Sequence, residues 1–497
     1  MEKCSAMHEV RVRFAPSPTG FAHIGNIRNA VFDWLLAQHS GGKFILRIED
    51  TDRARIVPGA VEEIMESLRW LGMQWDEGPE VGGPCGPYFQ SERLDQYKEY
   101  ADRLLEQQVA YYCFCTPERL AEMRKQQEAR KMPTGYDRRC LALSSSEVAE
   151  KLAEGVPAPL RFKVPTAGQT SFTDVIRGEI GFENKLLDDF VILKSDGYPT
   201  YHFASVVDDH LMKISHIIRS EEWISSTPKH ILLYAALGWD PPKFVHPPLI
   251  LGPDRTKLSK RHGAVRFLDY KEKGFLPEAI INFMTLLGWS PGEDRELFTV
   301  GELVERFTLD GVVNHPVVFD YQKLEWMNGV YVRGADLDRI VELCMPFLQD
   351  AGCLSPSPSE KELAYAREAI NLVRDRMRYL AQVVNFTDFF FAEEPEYEEK
   401  GVRKWLRKDY VPELLGKLVP ALEGLADFRV EGIEERVRTV GDEMGLSGGT
   451  VIHPIRVAVT GRTVGPGLFA TMAVLGKDRI LGRLRRTLGF ISAAAQA

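Results

Sequence analysis

Residues 9–48 read EVRVRFAPSPTGFAHIGNIRNAVFDWLLAQHSGGKFILRI, and the order of patterns in this stretch decides the fold. Val10, Val12 and Phe14 alternate with charged residues, the two-residue period of a strand, and Pro16, Pro18 and Gly20 then turn the chain into a loop. From Asn26 onward Ile27, Ala30, Val31, Trp34 and Leu35 share one helical face, and Gly41-Gly42 supplies a stop. Lys43 to Ile48 is a nearly continuous apolar run suited to a buried parallel strand. Strand, helix and strand make one βαβ unit. A second helix is expected from Pro58 to Gly72, carried by Val61, Ile64, Met65, Leu68 and Leu71.

The alternation returns at Asp188 to Leu193 and runs through a helical stretch from Tyr201 to the strand-like Ile214 to Arg219. A helix after Pro228 and apolar strands at Phe244-Val245 and Leu249 to Leu251 complete it. Two such halves, roughly a hundred residues apart, predict one doubly wound α/β sheet carrying an insertion. Beyond Lys260 the periodicity is helical nearly to the end.

With 497 residues, 44% of them hydrophobic, the chain exceeds what one core supports, since single cores stop growing near ~250–300 residues. No run approaches the roughly 18 apolar residues that cross a bilayer, and Met1 to Val10 lacks a signal-like apolar core, so no membrane partner and a cytoplasmic location are expected. Seven cysteines, an odd number in a long chain, argue for reduced thiols or a metal site over a disulfide framework. The net charge of -9 means that any nucleic-acid partner must be met by local basic patches.

Two loops carry the chemistry. The first, Pro16-Ser17-Pro18-Thr19-Gly20-Phe21-Ala22-His23-Ile24-Gly25-Asn26, joins a strand to a helix amino terminus, where free N–H groups and the helix dipole favour an anion such as a triphosphate. His23 can donate to developing phosphate charge, and Gly25 allows close approach of a base. The second, Lys257-Leu258-Ser259-Lys260-Arg261, follows the last apolar strand of the second half. There its lysines can close over a leaving pyrophosphate.

In these loops, reading HIGN and KLSKR, the sequence resembles the class I aminoacyl-tRNA synthetases. It resembles the bacterial glutamyl-tRNA synthetases more closely, over almost its whole length, through RFAPSPTGFAHIGN, GGKFILRIEDTDRAR, LGMQWDEGP, QSERLDQY, LKSDGYPTYHFASVVDDH, IIRSEEWISSTPKH, TKLSKRHG, LEWMNGVY and VAVTGRTVGPGLF. The resemblance implies a Rossmann-type catalytic domain in two halves, 1–90 and 188–256. An inserted acceptor-binding domain at 91–187, the lysine loop with a helical stem-contact domain at 257–335, and a helical anticodon-binding domain at 336–497 complete the implied plan. The partners implied are ATP with Mg²⁺, L-glutamate and tRNA(Glu), handled by a monomer. The implied reaction passes through a glutamyl-adenylate to the terminal adenosine of the tRNA, with bound tRNA needed for activation.

The same resemblance implies site residues. His23, Lys257 and Lys260 are catalytic, and ATP meets Pro16, Ser17, His23, Gly25, Asn26, Glu222, Leu249, Ile250, Lys257, Ser259, Lys260 and Arg261. Glutamate meets Arg13, Ala15, Ser17, Glu49, Tyr201, Ser205 and Arg219. Two carboxylates and an ammonium call for arginines and one acid, which these supply. Ser205 stands where relatives often carry asparagine, with His202 a neighbour able to compensate. Arg374, Arg376 and Arg378 alternate along an expected helix, and Arg376 matches the family arginine that favours cytosine in the third anticodon position. In the insertion, Cys113, Cys115 and Cys140 with Tyr136 read either as zinc ligands or as packed thiols, because Ala142 occupies the position of a completing histidine.

Rival readings fail on the same residues. A glutaminyl enzyme of this class has a β-barrel anticodon region, at odds with the helical carboxyl-terminal third. A small nucleotidyltransferase needs no further domain after the lysine loop, and a noncatalytic tRNA-binding protein needs neither His23 nor Lys260.

Overall fold

A computed structural model describes residues 9–258 and 266–496. They form two compact units, one of 9–271 and 277–321 and the other of 272–276 and 322–496. Ser259, Lys260 and Arg261 lie outside the described residues.

The first unit is built on the expected βαβ start. Strand Arg11–Phe14 pairs in parallel with Lys43–Leu46, and helix Ile24–Ser40 connects them, beginning two residues earlier than the apolar pattern shows because His23 caps it. Gly41 ends the helix at φ 62°, a left-handed conformation that glycine adopts without strain. The other side of Arg11–Phe14 meets His216–Ile218, through the Ser215 N–H donating to Arg11 O at 2.8 Å. His216–Ile218 pairs in parallel with Lys243–Val245, which meets Gln169–Asp174, which forms a hairpin with Gly178–Glu183. The chain therefore departs from Arg11–Phe14 in both directions, which opens a crevice at the carboxyl ends of Arg11–Phe14 and His216–Ile218. Helix Tyr201–Leu211 contributes Phe203, Val206 and Val207, all fully buried, to the core beneath it.

Three expectations need correction. The hairpin Gln169–Glu183, placed in the insertion by the 91–187 boundary, extends the catalytic sheet, whereas Val191–Leu193, placed in the second half, pairs with the inserted strand Leu160–Phe162. Alternation marks a strand but is silent on its neighbour, so pairing crossed the expected boundary. Ile250–Leu251 pairs in parallel with Val317–Val318 and bridges Lys257, apart from the strands of the catalytic sheet among the described residues. Helix Tyr321–Gly334, grouped with 257–335, belongs with the second unit, where its buried Asn328 accepts from Leu276 N and donates to Arg378 O.

The described residues 322–496 contain helices and no strand. Their core gathers Leu414, Leu418, Ile433, Val437 and Ile455, all fully buried. Among the described residues no helix is long and apolar enough to cross a membrane.

Candidate active site

The first loop places His23 at the amino-terminal cap of helix Ile24–Ser40. Its Nδ1 accepts the Gly25 N–H at 3.1 Å, and its own N–H donates to Asn26 Oδ1 at 2.8 Å. A neutral imidazole with Nδ1 accepting must carry its proton on Nε2, which is therefore the donor left for a ligand. Desolvation pushes the His23 pKa down, against an upward pull from Glu222, and so favours that neutral form. A Cβ on Gly25 would meet the His23 ring at 3.1 Å, so the glycine makes room for the histidine that caps the helix.

His23, Gly25 and Asn26 line a cavity of about 670 Å³ together with Glu222, Leu249, Ile250 and Lys257. Pro16 and Ser17 do not line it. The Lys257 ammonium pairs with the Glu222 carboxylate across this space. Sequence reasoning missed Arg28, a buried cation that also lines the cavity. It donates to Pro248 O at 2.9 Å and Leu287 O at 3.1 Å, clamping the helix to the segment that carries Leu249 and Ile250. Burial pushes its pKa down to about 10.

At the same ends of the strands lies a buried charge network. Arg13 and Arg47 share Asp209, Arg47 also holds Glu49 at 2.9 Å, and Arg93 holds Asp208 at 2.6 Å. Arg13 thus pairs with Asp209 across 196 positions, and the simple Arg13–Glu49 pair that neighbouring strands allow does not form. Three guanidiniums face three carboxylates. Glu49 is buried and its pKa raised, desolvation outweighing the pull of Arg47 and Arg13. Ser205 is fully buried and donates to Asp209 at 3.4 Å, while His202 Nδ1 lies 3.1 Å from His230 Nε2.

Arg219 is 6% exposed and has no carboxylate partner among the described residues. It donates to Thr227 Oγ1 at 2.8 Å, His246 Nε2 at 3.3 Å and the Tyr201 hydroxyl at 3.4 Å, all neutral acceptors. Ala15 sits at the loop's start, between Phe14 and Pro16, whose carbonyls accept from Arg47 N and Glu49 N. The site therefore offers a nucleotide-sized cavity next to a buried, uncompensated cation.

Residues 9–326 match the family described as tRNA synthetases class I (E and Q), catalytic domain, and residues 339–488 match an anticodon binding domain. The glutamate–tRNA ligase of Desulforudis audaxviator is 51% identical over 489 residues, 98% of each chain, and that of Moorella thermoacetica is 48% identical over 98% of this chain and 99% of its own. The crystal structure of a glutamate tRNA ligase from Elizabethkingia meningosepticum in complex with its amino acid superposes with a TM-score of 0.89 at 38% identity, covering 97% of this chain and 100% of that one. The chain belongs to the class I glutamate–tRNA ligase family.

In this synthetase the cysteine cluster is assembled as a possible ligand set. The sulfurs of Cys113, Cys115 and Cys140 lie within 4.8 Å of one another, with Cys115 and Cys140 at 3.6 Å and the Tyr136 oxygen 3.5 Å from Cys115. Tetrahedral zinc with bonds near ~2.3 Å separates its sulfurs by about 3.8 Å, so the spacing fits. Burial pushes the Cys113 thiol up, but hydrogen bonds with Tyr136 and Arg161 outweigh it and bring its pKa below the ordinary value. No disulfide links the described cysteines.

In the second unit of the synthetase, helix Glu360–Val373 ends before the three arginines. Arg374–Arg376 is a 3-10 turn and Met377 is extended, so the three arginines do not lie along the expected helix. The turn separates them by partner instead. Arg378 pairs with Glu325 at 3.0 Å, whereas Arg376 is exposed without an acidic partner among the described residues, and its charge helps to lower the pKa of Arg456, after burial.

Proposed function

We propose that the chain attaches L-glutamate to tRNA(Glu), first forming glutamyl-adenylate from ATP. The observation that carries this reading is Arg219, a buried cation left unpaired beside a network of balanced charge. A ligand carrying one net negative charge completes the balance, and glutamate, with two carboxylates and one ammonium, is such a ligand. Arg219 receives the side-chain carboxylate with Tyr201 beside it, Glu49 receives the ammonium, and Arg13 and Ser205 hold that wall in place through Asp209. Ala15 and Ser17 frame the loop side.

The cavity takes ATP, with adenine against Leu249 and Ile250, phosphates at the helix start near Gly20 to Asn26, and Glu222 with Lys257 at its rim. The glutamate α-carboxylate attacks the α-phosphorus, a bond forms to oxygen, and pyrophosphate leaves with the electron pair. His23 Nε2–H donates to the phosphate oxygens as their charge grows, and Lys257 leaves Glu222 for the leaving group. Ser259, Lys260 and Arg261, outside the described residues, join it in this reading. Mg²⁺ bound with ATP would supply neutralisation of phosphate charge, and Glu222 is the carboxylate that the described cavity walls could offer it. Zinc, held by Cys113, Cys115, Cys140 and Tyr136, would supply a structural crosslink within the acceptor-binding insertion. Monomeric action in the cytoplasm accompanies the proposal.

The test is aminoacylation of purified glutamate and glutamine tRNAs with each amino acid; product other than glutamyl-tRNA would overturn the reading. His23→Ala is expected to slow adenylate formation by about 2.7–4 kcal/mol in the barrier, the effect of losing one donor to developing charge. Single-turnover kinetics with tRNA present measure it, and a wild-type rate removes His23 from the chemistry. Arg376→Gln is expected to narrow the preference for glutamate tRNA over glutamine tRNA by about 1–3 kcal/mol in kcat/KM. Equal losses on both transcripts reduce Arg376 to a phosphate contact. Protein purified after zinc-supplemented growth is expected to carry about one zinc per chain. Elemental analysis that finds none leaves packed thiols.

A further inference from the structure

Arg219 is aimed by groups that come from two other strands. Its Nε–H points at His246 Nε2, 3.3 Å away, just past Lys243–Val245. His246 is fully buried, and its Nδ1 lies 2.7 Å from Oδ2 of Asp174, the last residue of Gln169–Asp174. The other oxygen, Asp174 Oδ1, accepts the backbone N–H groups of Ile176 and Arg177, each at 3.0 Å. The ring lies beside Phe172 and Phe244, with ring centroids 6.1 Å and 6.2 Å away.

These contacts admit one tautomer. With Asp174 accepting, Nδ1 carries the proton and Nε2 presents a lone pair to Arg219. Burial pushes the His246 pKa down and Arg219 adds to this, against the upward pull of Asp174. A carboxylate placed directly on Arg219 would satisfy its charge and compete with the substrate. A neutral ring between Asp174 and Arg219 orients the guanidinium while leaving its charge to be matched by a ligand. Thr227 acts alongside, accepting from Arg219 Nη2 and donating to Trp223 O at 3.1 Å.

We propose that Asp174 and His246 are positioning residues for amino-acid recognition, the carboxylate locking the imidazole tautomer that aims Arg219 at the substrate side-chain carboxylate. This rests on the reading of Arg219 as the partner of that carboxylate. No motif singled out in the sequence contains either residue, and the strand that carries Asp174 joins the catalytic sheet only through pairing.

The experiment uses the full-length chain with Asp174→Asn, His246→Gln, His246→Leu and Arg219→Gln. In Asp174→Asn the amide oxygen keeps the two backbone donors, so its NH₂ faces His246 Nδ1 and drives the proton to Nε2, against Arg219 Nε–H. The expected result is a rise in KM for glutamate of roughly tenfold or more, with KM for ATP unchanged. The ¹⁵N signals of His246 in histidine-labelled protein should report the exchanged tautomer. His246→Gln, whose amide oxygen can replace the Nε2 acceptor, should retain most of the glutamate affinity that His246→Leu loses. An unchanged tautomer, or equal rises in both KM values, overturns the proposal. If the tautomer exchanges and glutamate KM stays constant while Arg219→Gln raises it, this inference alone fails. If Arg219→Gln also leaves it constant, the reading of Arg219 fails with it.

Discussion

Arg219→Gln is expected to lower kcat/KM for glutamate by about 2–5 kcal/mol, the range for removing one partner of a buried hydrogen-bonded charge pair. The loss should fall mainly on KM, because the contact exists before and after the α-carboxylate reacts. Arg219 lies on the segment leaving His216–Ile218, with its side chain fixed at three points by neutral acceptors. The unmodified enzyme should reject glutamine by at least a comparable margin, since the neutral amide leaves a buried cation uncompensated. Pyrophosphate exchange in the presence of tRNA, run on both amino acids, measures both effects. Equal use of glutamine and glutamate by the unmodified chain would remove Arg219 from the pocket.

Asp209→Ala is expected to destabilise the first unit by about 3–5 kcal/mol, because it strands two buried guanidiniums. Arg13 contacts Asp209 at 2.9 Å and Arg47 at 2.7 Å, with Asp209 and Arg47 both fully shielded. Burial alone would raise the Asp209 pKa, but the attraction of Arg13 and then Arg47 outweighs it and holds the carboxylate below its ordinary value. A depressed folded-state pKa means that this stabilisation is present above the unfolded-state value, near ~3.9, and is lost as pH falls through the folded-state value. Asp209→Ala should therefore lower the urea midpoint at neutral pH and flatten the acid limb of stability. A change under about 1 kcal/mol, ordinary for a surface substitution, would show that the network relaxes around the loss.

What was legible in the sequence is what local periodicity carries. Alternation places Arg11 and Arg13 on the face of strand Arg11–Phe14 opposite to Val12 and Phe14, since successive residues point to opposite sides. A loop between a strand and an apolar helical stripe locates His23 at a helix start, and the cap geometry there follows from the first-turn N–H groups needing acceptors. The resemblance named the rest of the pocket residue by residue; of the ATP set His23, Gly25, Asn26, Glu222, Leu249, Ile250 and Lys257 line one cavity, Pro16 and Ser17 do not, and Ser259, Lys260 and Arg261 lie outside the described residues.

The sequence by itself determined the opening strand–helix–strand order, the place of His23 at a helix entrance and the helical character of the carboxyl-terminal third. Only the tertiary structure decided that Asp209 answers Arg13, that Asp174 reaches Arg219 through His246, that Gln169–Asp174 joins the catalytic sheet, and that Arg376 sits on a turn. The reason is physical. Period and propensity act within a few residues along the chain. Which carboxylate neutralises a buried arginine, and which strand edge satisfies another's N–H groups, depends on segments 27 to 196 positions apart that meet only when the sheet closes.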